Sequence, residues 1–395
     1  MKSIPIALSF ITIGLLLYPN LAQAQPGRQR SPRVVSPEVL EDGKIAFRIL
    51  APEAKSVRLV SSDLGNLSEN GALTKNEEGI WEVEIGPVKT PGPIRYRFNI
   101  DGVTVADPAN RETSESNTTV FSLAYAPGLE FMELRDVPHG QVAEVTYHSK
   151  TLDRFRRMHV YTPPGYEKGN ESYPVFYLLH GASDSDDSWS TVGRANLIID
   201  NMIAAGEAKP MIVVMPDGHV GRMDRQQRGL QMQDFVKEFA DDIVPTIEKT
   251  FRVKEGRANH AIAGLSMGGA QTLDIALNDL DDYAYVGVYS SGIFGLRQRS
   301  ADQQNNGPTW EEQHIEVLKN PDLKDGLKLF WFSTGKDDFL VDVSRASVDL
   351  LKKHDFDVVY EETDGGHTWI NWRNYLRKFA AQLFQDEPAN TEASE

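Results

Sequence analysis

The segment Gly264-Leu265-Ser266-Met267-Gly268-Gly269 sets a serine among small residues, with an apolar run at 260–263 before it and a helical pattern at 270–277 after it. Strand, Gly-x-Ser-x-Gly, helix is the arrangement that lifts a serine hydroxyl from a sharp turn at a sheet edge. The turn strains the serine backbone. Small residues two before and two after keep strand and helix from clashing, and Gly264 and Gly268 meet that need. The chemistry is acyl transfer. Ser266 is the candidate nucleophile, and the Met267 amide, at the positive end of the following helix, is a candidate oxyanion donor.

A serine hydroxyl requires a base, and the base an orienting acid. With this turn the chain order is serine, acid, histidine. Of nine histidines, His314, His354 and His367 follow Ser266. His314 falls in a polar loop–helix stretch. His354 is near a helix C-terminus, where the dipole favours a cation. His367 sits in Asp364-Gly365-Gly366-His367-Thr368-Trp369, a glycine-rich loop between strand and helix, and is the expected base.

The acid belongs on the loop after the preceding strand, where Asp337 and Asp338 stand side by side. Adjacent residues point apart, so one faces His367 and the other caps the next helix or faces solvent. The residues alone do not separate the two; Asp342 and Asp364 are weaker candidates. A second oxyanion donor is expected in His180-Gly181-Ala182, with the Ala182 amide paired to that of Met267 and His180 structural. Trp189, Trp369 and Trp372 are the aromatics nearest these loops. Trp189 and Trp369 are the candidate substrate-binding residues, able to stack on an aromatic acyl group; Trp372 reads as core.

The elements that must position these groups change rhythm along the chain. Residues 38–126 show short alternating strands between Gly, Pro and Asn turns, as at 45–49, 57–60, 81–85 and 96–100. That pattern predicts a small immunoglobulin-like β-sandwich. Residues 127–140 read as a linker. From 141 to 385 continuous apolar strands (175–179, 211–215, 285–289) alternate with helical spacing, which predicts a parallel sheet covered on both faces. The expected fold class is therefore α/β, an α/β-hydrolase domain preceded by the sandwich. Phe235, Phe239, Ile243 and Ile247 are spaced as one helix face, with Pro245 predicting a kink or break.

The 395 residues contain no cysteine, which excludes thiolate nucleophiles, thiolate metal sites and redox motifs. Lys2, the apolar run 6–17 and Ala22-Gln23-Ala24 read as an export signal over residues 1–24. That run is shorter than the roughly 20 residues a membrane span takes. The expected location is secreted or periplasmic. A disordered lead (25–37) and an acidic tail (386–395) flank the domains. The formal charge of −16 disfavours nucleic acid and anionic membrane as partners.

The motifs at 178–181 with Trp189, at 264–269, Gly335-Lys336-Asp337-Asp338-Phe339-Leu340 and Gly365-Gly366-His367-Thr368-Trp369 resemble carbohydrate esterase family 1. That group holds feruloyl esterases, some acetylxylan esterases and the related enterochelin esterase-like hydrolases. The resemblance covers most of residues 140–385. It implies that the acid is Asp338 and that no metal or cofactor is used. The implied substrate is a feruloylated or acetylated plant polysaccharide; aromatic polyesters and siderophore lactones are the alternatives. Tyr96-Arg97-Phe98, Asp101-Gly102 and Asp107-Pro108 resemble, over a shorter stretch, carbohydrate-binding module family 48. A non-catalytic glycan-binding protein is the competing class, and the complete set of serine, acid and histidine speaks against it.

Overall fold

The computed structural model describes residues 32–65, 67–221, 228–296 and 309–385. The expected leader (1–24) and tail (386–395) lie outside the described residues.

Residues 34–126 form two antiparallel sheets. One has the order β1 (Glu38–Val39), β2 (Ile45–Leu50), β5 (Ile80–Ile85), β4 (Thr74–Lys75). The other runs β3 (Val57–Val60), β6 (Gly92–Ile100), β9 (Val120–Ala126), β8 (Thr113–Glu115), with β7 (Val103–Val105) paired to β6. Strand alternation puts Ile45, Phe47 and Ile49 on the inner face, opposite Tyr96 and Phe98. Phe47 meets Tyr96 edge-on at 4.7 Å. Each such buried aromatic contributes about 1.5–3 kcal/mol relative to exposure.

Two expected segments differ. Residues 34–37, read from their Pro and Arg content as part of a disordered lead, are docked on the sandwich. Ser36 is buried, and its hydroxyl accepts the Arg48 amide at 3.0 Å. The stretch 127–140 lies against the second domain. Its short turn Glu130–Met132 buries Met132, and Asn201 and Arg194 donate to its carbonyls.

The second domain is an eight-stranded sheet of order β10 (Gln141–Ser149), β11 (Arg154–Thr162), β13 (Ile212–Pro216), β12 (Val175–Leu179), β14 (His260–Leu265), β15 (Tyr285–Tyr289), β16 (Leu329–Gly335), β17 (Val358–Thr363). β10 and β11 pair antiparallel, as do β11 and β13; the remaining pairs are parallel. Alternation sorts the strands between two cores. Tyr177, Leu179, Ile262 and Val288 face helices 228–250, Met267–Asn278 and Val341–Lys353. Phe176, Leu178, Ala263 and Tyr289 face Ala195–Ala205 and Trp369–Ala380.

Pro245 does not break its helix. A π-helical turn, Phe239–Ile243, precedes it, and the path continues as Val244–Thr250 with the proline in the first turn. The wider turn accommodates the residue that has no amide to donate. Among the described residues no helix is long and apolar enough to cross a membrane.

Candidate functional site

The sharp turn after β14 is present. Ser266 has φ 52° and ψ −114°, a conformation side chains rarely adopt, which costs on the order of 1–3 kcal/mol. Neighbouring backbone holds it there: the Ser266 amide donates to Tyr289 O at 2.8 Å, and Ser291 Oγ donates to Ser266 O at 2.6 Å. The glycines are steric requirements. A Cβ on Gly264 would stand 2.3 Å from the Gly268 carbonyl, and one on Gly268 would stand 2.6 Å from His180 O. Helix Met267–Asn278 starts immediately after the serine, so the first amides of the helix lack partners within it.

The loop after β17 carries His367, and the loop after β16 carries both aspartates. Asp338 is buried and Asp337 is exposed. His367 Nδ1 lies 3.0 and 2.9 Å from the two Asp338 oxygens, and the Leu340 amide donates to Asp338 Oδ1 at 2.8 Å. Burial acts to raise the Asp338 pKa, but the His367 ring and the Leu340 amide hold it below the usual carboxylate range. Asp338 is therefore an ionised acceptor, Nδ1 carries the proton, and Nε2 is the ring nitrogen left for other work. No hydrogen bond joins Ser266 to His367 in this structure. Such contacts commonly tighten only around a substrate.

The weaker candidates are engaged elsewhere. Asp364 pairs with Lys336 at 3.0 Å, and Asp342 accepts from Arg345 at 3.2 Å. His314 bonds the Trp310 carbonyl, and His354 contacts Glu311 Oε1 at 2.7 Å. His180 is buried against Gly181 O through Nδ1, and its Nε2 accepts the Gly218 amide at 2.9 Å. Burial acts to lower its pKa, but Asp217, with Oδ1 3.5 Å from Nε2, holds it above the usual histidine value, and the ring is fixed behind the loop.

A cleft of about 690 Å³ opens beside Ser266, with Ala182, Met267, Met232, Phe294, Trp310 and Phe339 among its walls. Among the described residues no protein acceptor takes the Ala182 or Met267 amide, and both residues border this space. Trp189 and Trp369 do not line it. Trp189 is fully buried, its indole N–H donates to Leu179 O at 3.1 Å, and its ring meets Trp369 edge-on at 5.0 Å. The expectation that these two contact substrate is corrected: they are core. Trp372 is core as read, its indole N–H bonded to Ser290 Oγ.

The aromatic wall comes instead from Phe294, Trp310 and Phe339. Phe339 adjoins the acid in sequence, so proximity to the motif was a usable signal there. For Phe294 and Trp310 no local signal existed. His219 also borders the cleft. Burial pulls its pKa down to about 4, and the neighbouring His180 ring acts in the same direction. Among the described residues no group of three His, Asp or Glu is arranged to hold a metal ion.

The chain matches two family models. Residues 149–383 match the Esterase family, described as "Putative esterase", and residues 34–119 match Carbohydrate-binding module 48 (isoamylase N-terminal domain). A protein of Xylanibacter ruminicola named "Endo-1,4-beta-xylanase/feruloyl esterase" is 31% identical over 374 residues, covering 91% of this chain and 47% of its own length. The chain thus spans about half of that relative. A solved ferulic acid esterase superposes with a TM-score of 0.51 at 26% identity, over 62% of this chain and 97% of that one. The enterobactin esterase of Shigella flexneri superposes with a TM-score of 0.59 at 17% identity, over 86% of this chain and 92% of that one, which places the same two-domain fold in both.

Proposed function

The chain belongs to the esterase family, and from that premise we propose that it is an exported serine carboxylic-ester hydrolase releasing hydroxycinnamate from feruloylated arabinoxylan. The observation that carries the reading is the strained Ser266 turn standing at the same sheet edge as the Asp338–His367 pair. In this reading Ser266 Oγ attacks the ester carbonyl carbon while His367 Nε2 takes the hydroxyl proton. The Asp338 carboxylate holds Nδ1–H and offsets the imidazolium charge. The Ala182 and Met267 amides donate to the carbonyl oxygen as it becomes an oxyanion. The tetrahedral intermediate collapses, His367 delivers the proton to the departing sugar alcohol, and a feruloyl ester remains on Ser266. Water, deprotonated by the same histidine, then cleaves that ester.

The acyl group is argued from the cleft. Its aromatic wall and volume of about 690 Å³ suit a hydroxycinnamoyl group far better than acetate. The glycan part of the substrate is supported by the match to a carbohydrate-binding module and by the name of the Xylanibacter relative. Membership of carbohydrate esterase family 1 rests on the four motifs read above. Export rests on Lys2, the apolar run and Ala22-Gln23-Ala24, all outside the described residues. The test is hydrolysis of methyl ferulate, methyl p-coumarate and acetylated xylan by the purified chain beside Ser266→Ala. Preference for the hydroxycinnamates is the expected result. Preference for acetate reassigns the acyl group, and no ester hydrolysis at all removes the reading.

A further inference from the structure

The sandwich reaches into the loop that carries Ala182. We propose that Arg95, on strand β6 of the sandwich, is a positioning residue for ester hydrolysis at Ser266, acting through Asp184 on the Gly181-Ala182 backbone. The inference rests on the esterase reading above.

Arg95 is buried, with a guanidinium that spans both domains. Nη1 donates to Asp184 Oδ1 at 2.5 Å, and Nη2 donates to Ser188 Oγ at 2.8 Å. On the sandwich side Nε and Nη2 bond Ser114 Oγ at 3.1 and 2.7 Å. The planar fork is therefore fixed in orientation before it meets the carboxylate, as a lysine could not be. Asp184 is buried too, and Arg95 is the only hydrogen-bond donor to its carboxylate among the described residues.

The carboxylate so held is wedged against the oxyanion loop. The Asp184 amide closes a turn on Gly181 O at 3.1 Å. A Cβ placed on Gly181 would stand 2.6 Å from Leu265 Cδ1, 3.1 Å from Asp184 Oδ2 and 3.6 Å from Ser266 Cβ. Gly181 thus packs beside Leu265, Ser266 and an ion pair whose cation comes from the other domain. Without Arg95 the buried Asp184 charge is uncompensated, and the carboxylate turns toward water and takes the loop with it. An oxyanion donor displaced by about 1 Å loses most of its effect in the transition state while ground-state binding is untouched.

The domains remain joined without this residue. The Glu115 amide donates to Asp187 Oδ2 at 2.9 Å, Thr191 Oγ1 bonds Ser114 Oγ, and Arg373 Nη1 donates to Pro93 O at 3.5 Å. The experiment compares wild type, Arg95→Met and Arg95→Lys in the full chain on methyl ferulate, with kcat expressed per site titrated by a fluorophosphonate probe. Arg95→Met is expected to lose about tenfold or more in kcat, with KM within about twofold. Arg95→Lys, which keeps the charge but not the fork, is expected to fall between.

A variant that merely misfolds lowers the number of titratable sites and leaves kcat per site unchanged, and that result overturns the proposal. So does a KM increase at constant kcat. If Arg95→Met does not fold, Arg95→Lys decides: a reduced kcat per site supports the proposal and a wild-type value overturns it. A wild type that hydrolyses no ester overturns the esterase reading itself, and this inference with it.

Discussion

Trp189 and Trp369 lie edge to edge, 0% and 6% exposed, while Phe294 and Phe339 are 52% and 74% exposed. The tryptophans form a closed side. They pack in one core with Val192, Tyr289 and Trp372, and Arg95 of the sandwich stands 5.6 Å from the Trp369 ring. The phenylalanines, with Trp310, form an open side along the cleft. His367 stands between: Trp372 meets it edge-on at 5.0 Å from the closed side, and Phe339 lies 4.4 Å away on the open side. The difference teaches that nearness in sequence to the serine and histidine motifs does not decide which aromatics line the cleft. The packing of distant segments around each ring does.

The largest effect is expected at the boundary the two sides share. Asp338→Asn keeps the shape but favours the wrong imidazole tautomer, and is expected to lower kcat about 10⁴-fold with little change in KM, measured by steady-state kinetics on methyl ferulate. On the closed side, Trp189→Ala is expected to cost about 3–5 kcal/mol of stability in thermal or urea unfolding, with the KM of the folded enzyme unchanged. A tenfold rise in KM at unchanged Tm would instead put Trp189 in the cleft and erase the comparison.

His219 joins the two sides. It borders the cleft, while its Nε2 meets Asp184 O at 3.2 Å and its Nδ1 meets Asn117 of the sandwich at 3.4 Å. His180, Asp217, Asp184 and Arg156 surround it. With a folded pKa of about 4 against about 6.5 unfolded, the unfolded state takes the proton first as pH falls. Stability is therefore lost between about pH 6.5 and 4, on the order of 3 kcal/mol. The low-pKa Asp338 loses its contribution only below that window, as pH falls through its folded pKa. His219→Gln is expected to flatten the Tm profile between pH 6.5 and 4, and an unchanged slope contradicts the assignment. The smallest effect belongs to the open side. Trp310→Ala is expected to raise KM for methyl ferulate about tenfold and to leave KM for a small acetyl ester and the Tm nearly unchanged.

The candidate reacting groups were legible because most of their constraints are local. Gly264 is demanded by sterics within five residues, against Gly268 and Gly269, and His367 lies in a glycine-rich loop whose place follows from strand and helix on either side. Asp337 and Asp338 were not separable from spacing, since the choice depends on which one turns under His367. Helix Ala195–Ala205 escaped although Ile198, Ile199 and Met202 share its inner face. It starts without a side-chain cap, from Arg194 in a left-handed conformation. The tryptophans and Arg95 were beyond the sequence for one reason: their surroundings are assembled from distant segments, as where Arg95 meets Ser188 and Trp369, and Trp189 meets Trp369.

The most direct test of the account is acid-quench mass spectrometry of the full chain during its first turnover of methyl ferulate. A single feruloyl ester on Ser266, formed before steady state and absent from Ser266→Ala, is the expected result. Product release with no adduct on Ser266 and undiminished turnover in Ser266→Ala would contradict it.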